Sequence, residues 1–200
     1  MKSRIHWARL LQWGAFLLGI GMVVFFCVFY GRTSPPGSEE VESLAAIERA
    51  IRRTDMVLPV REDLAGVDTY WLEKGPGPRS SGARGYGMTG EREEQGRIVH
   101  WYIGCLERAK QVTDPRREGV ELVSYQGREI EVSEPGVDDG AALSAKAEVY
   151  LGPYHYSVSL ENAIAPDDLP ETVETIREEM RAELMGMVER VIDQYETVHA

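Results

Sequence analysis

The sequence predicts an α+β domain, an antiparallel sheet packed against a long C-terminal helix, carried behind one N-terminal transmembrane helix. Three observations carry this reading. Leu10 to Tyr30 is a run of 21 residues without a charge. Several segments between residues 97 and 160 alternate apolar and polar side chains with the period of two that marks a strand. Apolar residues from Val173 to Tyr195 recur at steps of three and four, the period of a helix with one buried face.

At about 1.5 Å per helical residue the uncharged run reaches across the roughly 30 Å hydrocarbon core of a bilayer. A secretory signal's apolar region is shorter, about 7–15 residues. No Ala-x-Ala-like site follows, because the chain passes through Phe25, Phe26, Phe29 and Tyr30 before Gly31 and Arg32. Cys27 sits behind Val23, Val24, Phe25 and Phe26, not behind the small residues of a lipoprotein cleavage site. Residues 10–31 therefore read as an uncleaved signal anchor whose partner is the lipid bilayer. Lys2, Arg4 and Arg9 precede it and only Arg32 closely follows, which places the basic tail 1–9 in the cytoplasm and the rest outside. Trp7, Trp13 and Tyr30 lie near its ends, where amphipathic rings favour the headgroups.

Residues 32–40, containing "TSPPGSEE", have linker composition, so the extracytoplasmic domain is expected over 41–200. "VESLAAIERAIRR" spaces Val41, Leu44, Ile47 and Ile51 as a short amphipathic helix. "VDTYWLEKG" reads as a strand. The glycine-rich stretch 75–91 then reads as a long surface loop. In "GRIVHWYIGCLE", Val99, Trp101, Ile103 and Cys105 take one face of a central strand, and His100, Tyr102 and Gly104 the other. "GVELVSYQGREIEVSEPG" reads as a hairpin turning at Gln126-Gly127. "AKAEVYLGPYHYSVSL" reads as a second, turning at Leu151 to Pro153, with Tyr154, Tyr156, Val158 and Leu160 on one face. Pro166, Asp167, Asp168 and Pro170 announce the start of the last helix, about 25 residues long. Its apolar stripe is expected on the sheet, with a partner interface as the alternative.

All 33 acidic residues follow residue 32, against 18 of the 22 Lys and Arg, a formal charge of −15 for the exported part. Such a surface repels nucleic acid, so no nucleic-acid partner is expected. Cys105 is the only exported cysteine, which rules out an internal disulfide there and leaves a buried, inert thiol as its expected role.

The exported histidines, His100, His155 and His199, fall in no Cys-x-x-Cys or His-Glu-x-x-His pattern, so neither metal nor cofactor is expected. His100 and Cys105, five residues apart on one strand, point to opposite faces, and His155 with Cys105 is the only nucleophile–base pair left to consider. Carboxylate pairs such as Glu93-Glu94, Asp138-Asp139 and Asp167-Asp168 are too common to mark a catalytic pair. Arg79 and Arg84 could help the glycine-rich loop wrap an anion, although the Walker pattern is absent. Tyr150, Tyr154 and Tyr156, bunched around a turn, are the surface candidates for an interface, against the competing reading that they fill the core.

The order of features from "RGYGMTGEREEQGRIVHWYIGCLERAKQVTDPRREGVELVSYQGREIEV" resembles the exosortase-associated accessory family, in which a strand like "VHWYIG" precedes a His-x-Pro segment and a cysteine. In this chain "TDPRREGVE" keeps Pro115 and lacks both the histidine and the following cysteine, so no residue role is carried over. The resemblance implies an accessory protein of that kind. The residues themselves point first to a non-enzymatic binding or accessory subunit of a cell-envelope complex, with an envelope or membrane protein as partner. A small-ligand-binding or sensing domain is the alternative.

Overall fold

Alternating side chains fold about half of the described residues into strands, and a computed structural model describes residues 38–74, 83–94, 96–108, 119–138, 142–164 and 170–200. The expected anchor, Arg79 and Asp167-Asp168 lie outside these residues. Among the described residues no helix is long and apolar enough to cross a membrane.

The elements in chain order are β1 (Ser38–Val41), α1 (Leu44–Ile51), a 3₁₀ turn (Arg61–Leu64), β2 (Val67–Lys74), β3 (Ala83–Glu94), β4 (Arg97–Glu107), β5 (Val120–Tyr125), β6 (Arg128–Asp138), β7 (Ala142–Leu151), β8 (Tyr154–Ala163) and α2 (Pro170–His199). The strands form one antiparallel sheet in the order β1-β2-β3-β4-β8-β7-β6-β5. Two four-strand meanders thus meet at the central β4–β8 pair. The α+β reading, the antiparallel sheet and the long terminal helix are all present. Strand β1 overlaps the expected linker.

The tight turns follow the residues. Gln126 (φ 47°) and Gly127 (φ 75°) both occupy the left-handed region that a two-residue hairpin between twisted strands requires. Gly152 (φ 59°) does the same work between β7 and β8.

One expectation needs correction. Residues 83–91, read as part of a long loop, are strand β3, paired to β2 and β4 along its length. The glycines that suggested a loop make room for neighbours: a Cβ on Gly85 would lie 2.4 Å from the Cys105 carbonyl oxygen, and one on Gly90 2.3 Å from that of Gly66. Arg84 is accordingly a strand residue, its Nε 3.2 Å from Glu107 Oε2 on β4.

Both helices pack on one face of the sheet. Ile47 and Ile51 of α1 and Ile176, Met180, Leu184, Met187, Val188, Val191, Ile192 and Tyr195 of α2 share one core with Met88, Trp101, Ile103, Val132, Val149, Val158 and Leu160. Burying each such side chain contributes about 1.5–3 kcal/mol. Ion pairs fasten the polar flanks of α2 to the same face through Arg92–Glu183, Arg181–Glu121 and Arg128–Glu196, and Arg190 pairs with Asp63 of the 3₁₀ turn. Segment 52–60 is held by two phenols. The Val57 N–H donates to Tyr156 Oη (2.9 Å), and Tyr86 Oη donates to the Val57 carbonyl (2.5 Å).

Candidate functional site

The face of the sheet opposite the two described helices carries the groups that the core does not use. Strand alternation places Trp71, Gly87, Tyr102, Gly104, Lys146, Glu148, Tyr150, His155, Ser157 and Ser159 there, since each pairs in register with another of this set or with its neighbours on that face.

The three candidate tyrosines separate. Tyr154 and Tyr156 point into the helix-side core at 8% and 2% exposure, whereas Tyr150 lies half-buried on the open face, its ring 4.6 Å from that of His155. The burial of Tyr156 raises its pKa well above the usual phenol range. Cys105 is buried beside it, and desolvation pushes the thiol up to about 12, so it stays protonated and unreactive at neutral pH. Cys105 and His155 fall on opposite faces, because Cys105 pairs with Tyr156 and His155 with Leu106. His100 and His155 are also apart: His100 pairs with Glu161, six residues along β8 from His155, or about 20 Å.

Across β2, β3 and β4 two aromatic rings are bedded on glycines. A Cβ on Gly87 would lie 2.3, 2.4 and 2.6 Å from Cε2, Nε1 and Cζ2 of Trp71, so the indole presents its face to that glycine. A Cβ on Gly104 would lie 2.0 Å from the Tyr102 hydroxyl. The two rings are 5.8 Å apart and within 20° of parallel. They form a low platform on the strands, and both remain partly accessible.

Beside the platform lies a cleft of about 230 Å³ lined by Tyr102, Gly104, Arg108, Lys146, Glu148, His155 and Ser157, among others. Glu148 Oε1 receives hydrogen bonds from Lys146 Nζ (2.7 Å) and His155 Nε2 (3.1 Å). An ionised carboxylate only accepts, so this contact places the ring's hydrogen on Nε2. The His155 hydrogen bond, with Lys146 adding to it, lowers the Glu148 pKa to about 2. Ser157, directly opposite Glu148 in the register, is 8% exposed, and its Oγ has no hydrogen-bond partner among the described residues. Leaving a buried hydroxyl unpaired costs about 1–3 kcal/mol.

Glu148 and His155 are arranged as an orienting carboxylate and a base. A nucleophilic centre further requires an attacking group bonded to the base, and the Ser157 hydroxyl is not bonded to His155. What the cleft offers is a set of donors and acceptors suited to holding a polar ligand. On the far side of Tyr102 a second cleft, about 350 Å³, is bordered by Asp68, Thr89, His100, Ser144, Ser159 and Glu161. Among the described residues no group of three or more His, Cys, Asp or Glu is placed to hold a metal ion.

Sequence reasoning named none of Trp71, Tyr102, Glu148 or Ser157 as site residues. The signal for the platform was the coincidence of glycines at 87 and 104 with nearby aromatic residues. For Glu148 and Ser157 it was the hairpin register, which sets them opposite once the turn is fixed at Gly152-Pro153. No protein-family model matches the chain, and no curated protein matches it.

Proposed function

We propose that this chain is a non-enzymatic binding protein of the cell envelope, anchored in the membrane by residues 10–31, with residues 1–9 cytoplasmic and the sheet domain extracytoplasmic. Its working surface is the sheet face opposite the two described helices. The observation that carries this reading is Ser157: a hydroxyl unpartnered among the described residues, nine-tenths buried, in a cleft beside an aromatic platform. The anchor rests on the length and charge pattern of the N-terminal run.

An accessory-subunit role within an envelope complex is the second reading. It is supported by an apolar groove of about 570 Å³ at the helix side, bordered by Ile51, Met56, Leu58, Pro59 and the 67% exposed Val198.

Single cysteines test both. Ser144→Cys and Ser159→Cys lie on the open face, Glu178→Cys on the exposed side of α2. On intact cells a membrane-impermeant maleimide should label Glu178→Cys, with the open-face cysteines protected relative to the purified full chain. Failure to label Glu178→Cys from outside contradicts the extracytoplasmic placement. Equal open-face labelling in cells and in purified protein contradicts the binding face, and protection confined to the helix side favours the accessory subunit.

A further inference from the structure

We infer that the cleft beside Tyr102 recognises a monoanionic, hydroxylated ring, an acidic sugar of the hexuronate class, with its flat face on the Trp71–Tyr102 platform. This rests on the reading of the open face as a binding surface.

Size sets the first limit. At about 230 Å³ the cleft falls below the roughly 300–1,000 Å³ typical of sites for drug-sized ligands, so it accommodates one ring and leaves any extension on the platform. Charge sets the second. Lys146 and Arg108 against Glu148 leave one formal positive charge in a domain that is strongly acidic elsewhere. Arg108 forms no ion pair with another described residue. A single carboxylate complements this balance, whereas a dianionic phosphate would be set against Glu148.

The remaining groups call for hydroxyls. Lys146 and His155 both use Oε1 of Glu148, which leaves Oε2 as an acceptor, and Ser157 Oγ, almost wholly covered at the wall of the cleft, both donates and accepts once the side chains over it move aside. Sugar hydroxyls, which also do both, match this mixture. An aromatic acid would use the platform and the cations yet leave Ser157 unpaired. A sugar ring also has a C–H face that suits the electron-rich faces of Trp71 and Tyr102.

The test is calorimetric titration of the full chain in lipid nanodiscs, free of sugar-headed detergent, with trigalacturonate, maltotriose and benzoate. Trigalacturonate should bind at least about tenfold more tightly than either control, the equivalent of about 1.4 kcal/mol. Ser157→Ala should weaken it about threefold to tenfold and Lys146→Ala about tenfold, with melting temperatures held. Bound trigalacturonate should also protect Ser159→Cys from maleimide. Equal binding of maltotriose or benzoate, no binding of trigalacturonate, or affinities indifferent to Ser157→Ala and Lys146→Ala would overturn the inference. If trigalacturonate fails while the open-face cysteines stay protected on cells, the acidic-sugar inference falls and the binding-face reading stands; loss of that protection removes both.

Discussion

The two faces of the sheet are built from the same strands and do different work. On the helix-covered face, Val99, Trp101, Ile103, Tyr156, Val158 and Leu160 are each at most 2% exposed, and even the phenol hydroxyls of Tyr86 and Tyr156 are committed to Val57. One residue along in each strand the open face begins, with His100 more than half exposed, Tyr102 and Trp71 partly so, and Ser157 buried without a partner among the described residues. The difference shows how an antiparallel sheet divides its labour at a period of two. The covered face supplies most of the apolar burial, although Asn162, 8% exposed and paired with Val99 and Leu143, also leaves its Oδ1 unpartnered there among the described residues; the open face gathers most of the polar groups.

Breaking the covered face should have the largest effect. Tyr156→Ala removes a buried ring and its hydrogen bond, for an expected loss of about 3–5 kcal/mol. Tyr150→Ala, on the open face of the same hairpin, should cost less than about 1 kcal/mol. Chemical denaturation of the full chain in micelles measures both, and similar losses would erase the distinction between the faces.

Next in size is Arg190→Ala. Arg190 donates to Asp63 from Nε (3.1 Å) and Nη2 (2.5 Å), and Asp63 is only 5% exposed. Removing the arginine leaves a buried carboxylate without these bonds, for an expected loss of about 2–3 kcal/mol on the same denaturation curve.

Acid should act on the open face more gently. Glu148 titrates near 2 in the fold, below its ordinary 4.5, so the ionised form is favoured by folding. Its contribution is fully present above about pH 4.5 and fades as the pH falls towards 2. Melting temperature followed over that window should fall less steeply in Glu148→Gln than in the parent chain; identical slopes would contradict the His155–Glu148 contact. The smallest change is expected at Leu122 on edge strand β5, 45% exposed, where Leu122→Ser should stay within about 0.5 kcal/mol.

Much of this division is legible in the sequence, because a period is a property of the sequence. Strand β4, both C-terminal hairpins and the stripe of α2 announce themselves through alternation or helical spacing. The alternation that puts Tyr154 and Tyr156 with Val158 and Leu160 already hints at the core. Strand β3 was hidden because glycine signals a loop when read locally, while its purpose here lies on neighbouring strands, in the space occupied by Trp71 and by the backbones of Gly66 and Cys105. Ser157 carries no local signal at all, since its isolation depends on what β4 and β7 place around it.

The most direct measurement is thermal melting of Ser157→Ala against the parent chain, full length, in ligand-free lipid nanodiscs. If the open face is held for binding, Ser157 supports no structure, and removing its unpaired hydroxyl should leave the melting temperature unchanged or raise it. A fall equivalent to more than about 1 kcal/mol would mean that the hydroxyl is already committed within the fold, and would contradict the division between the two faces.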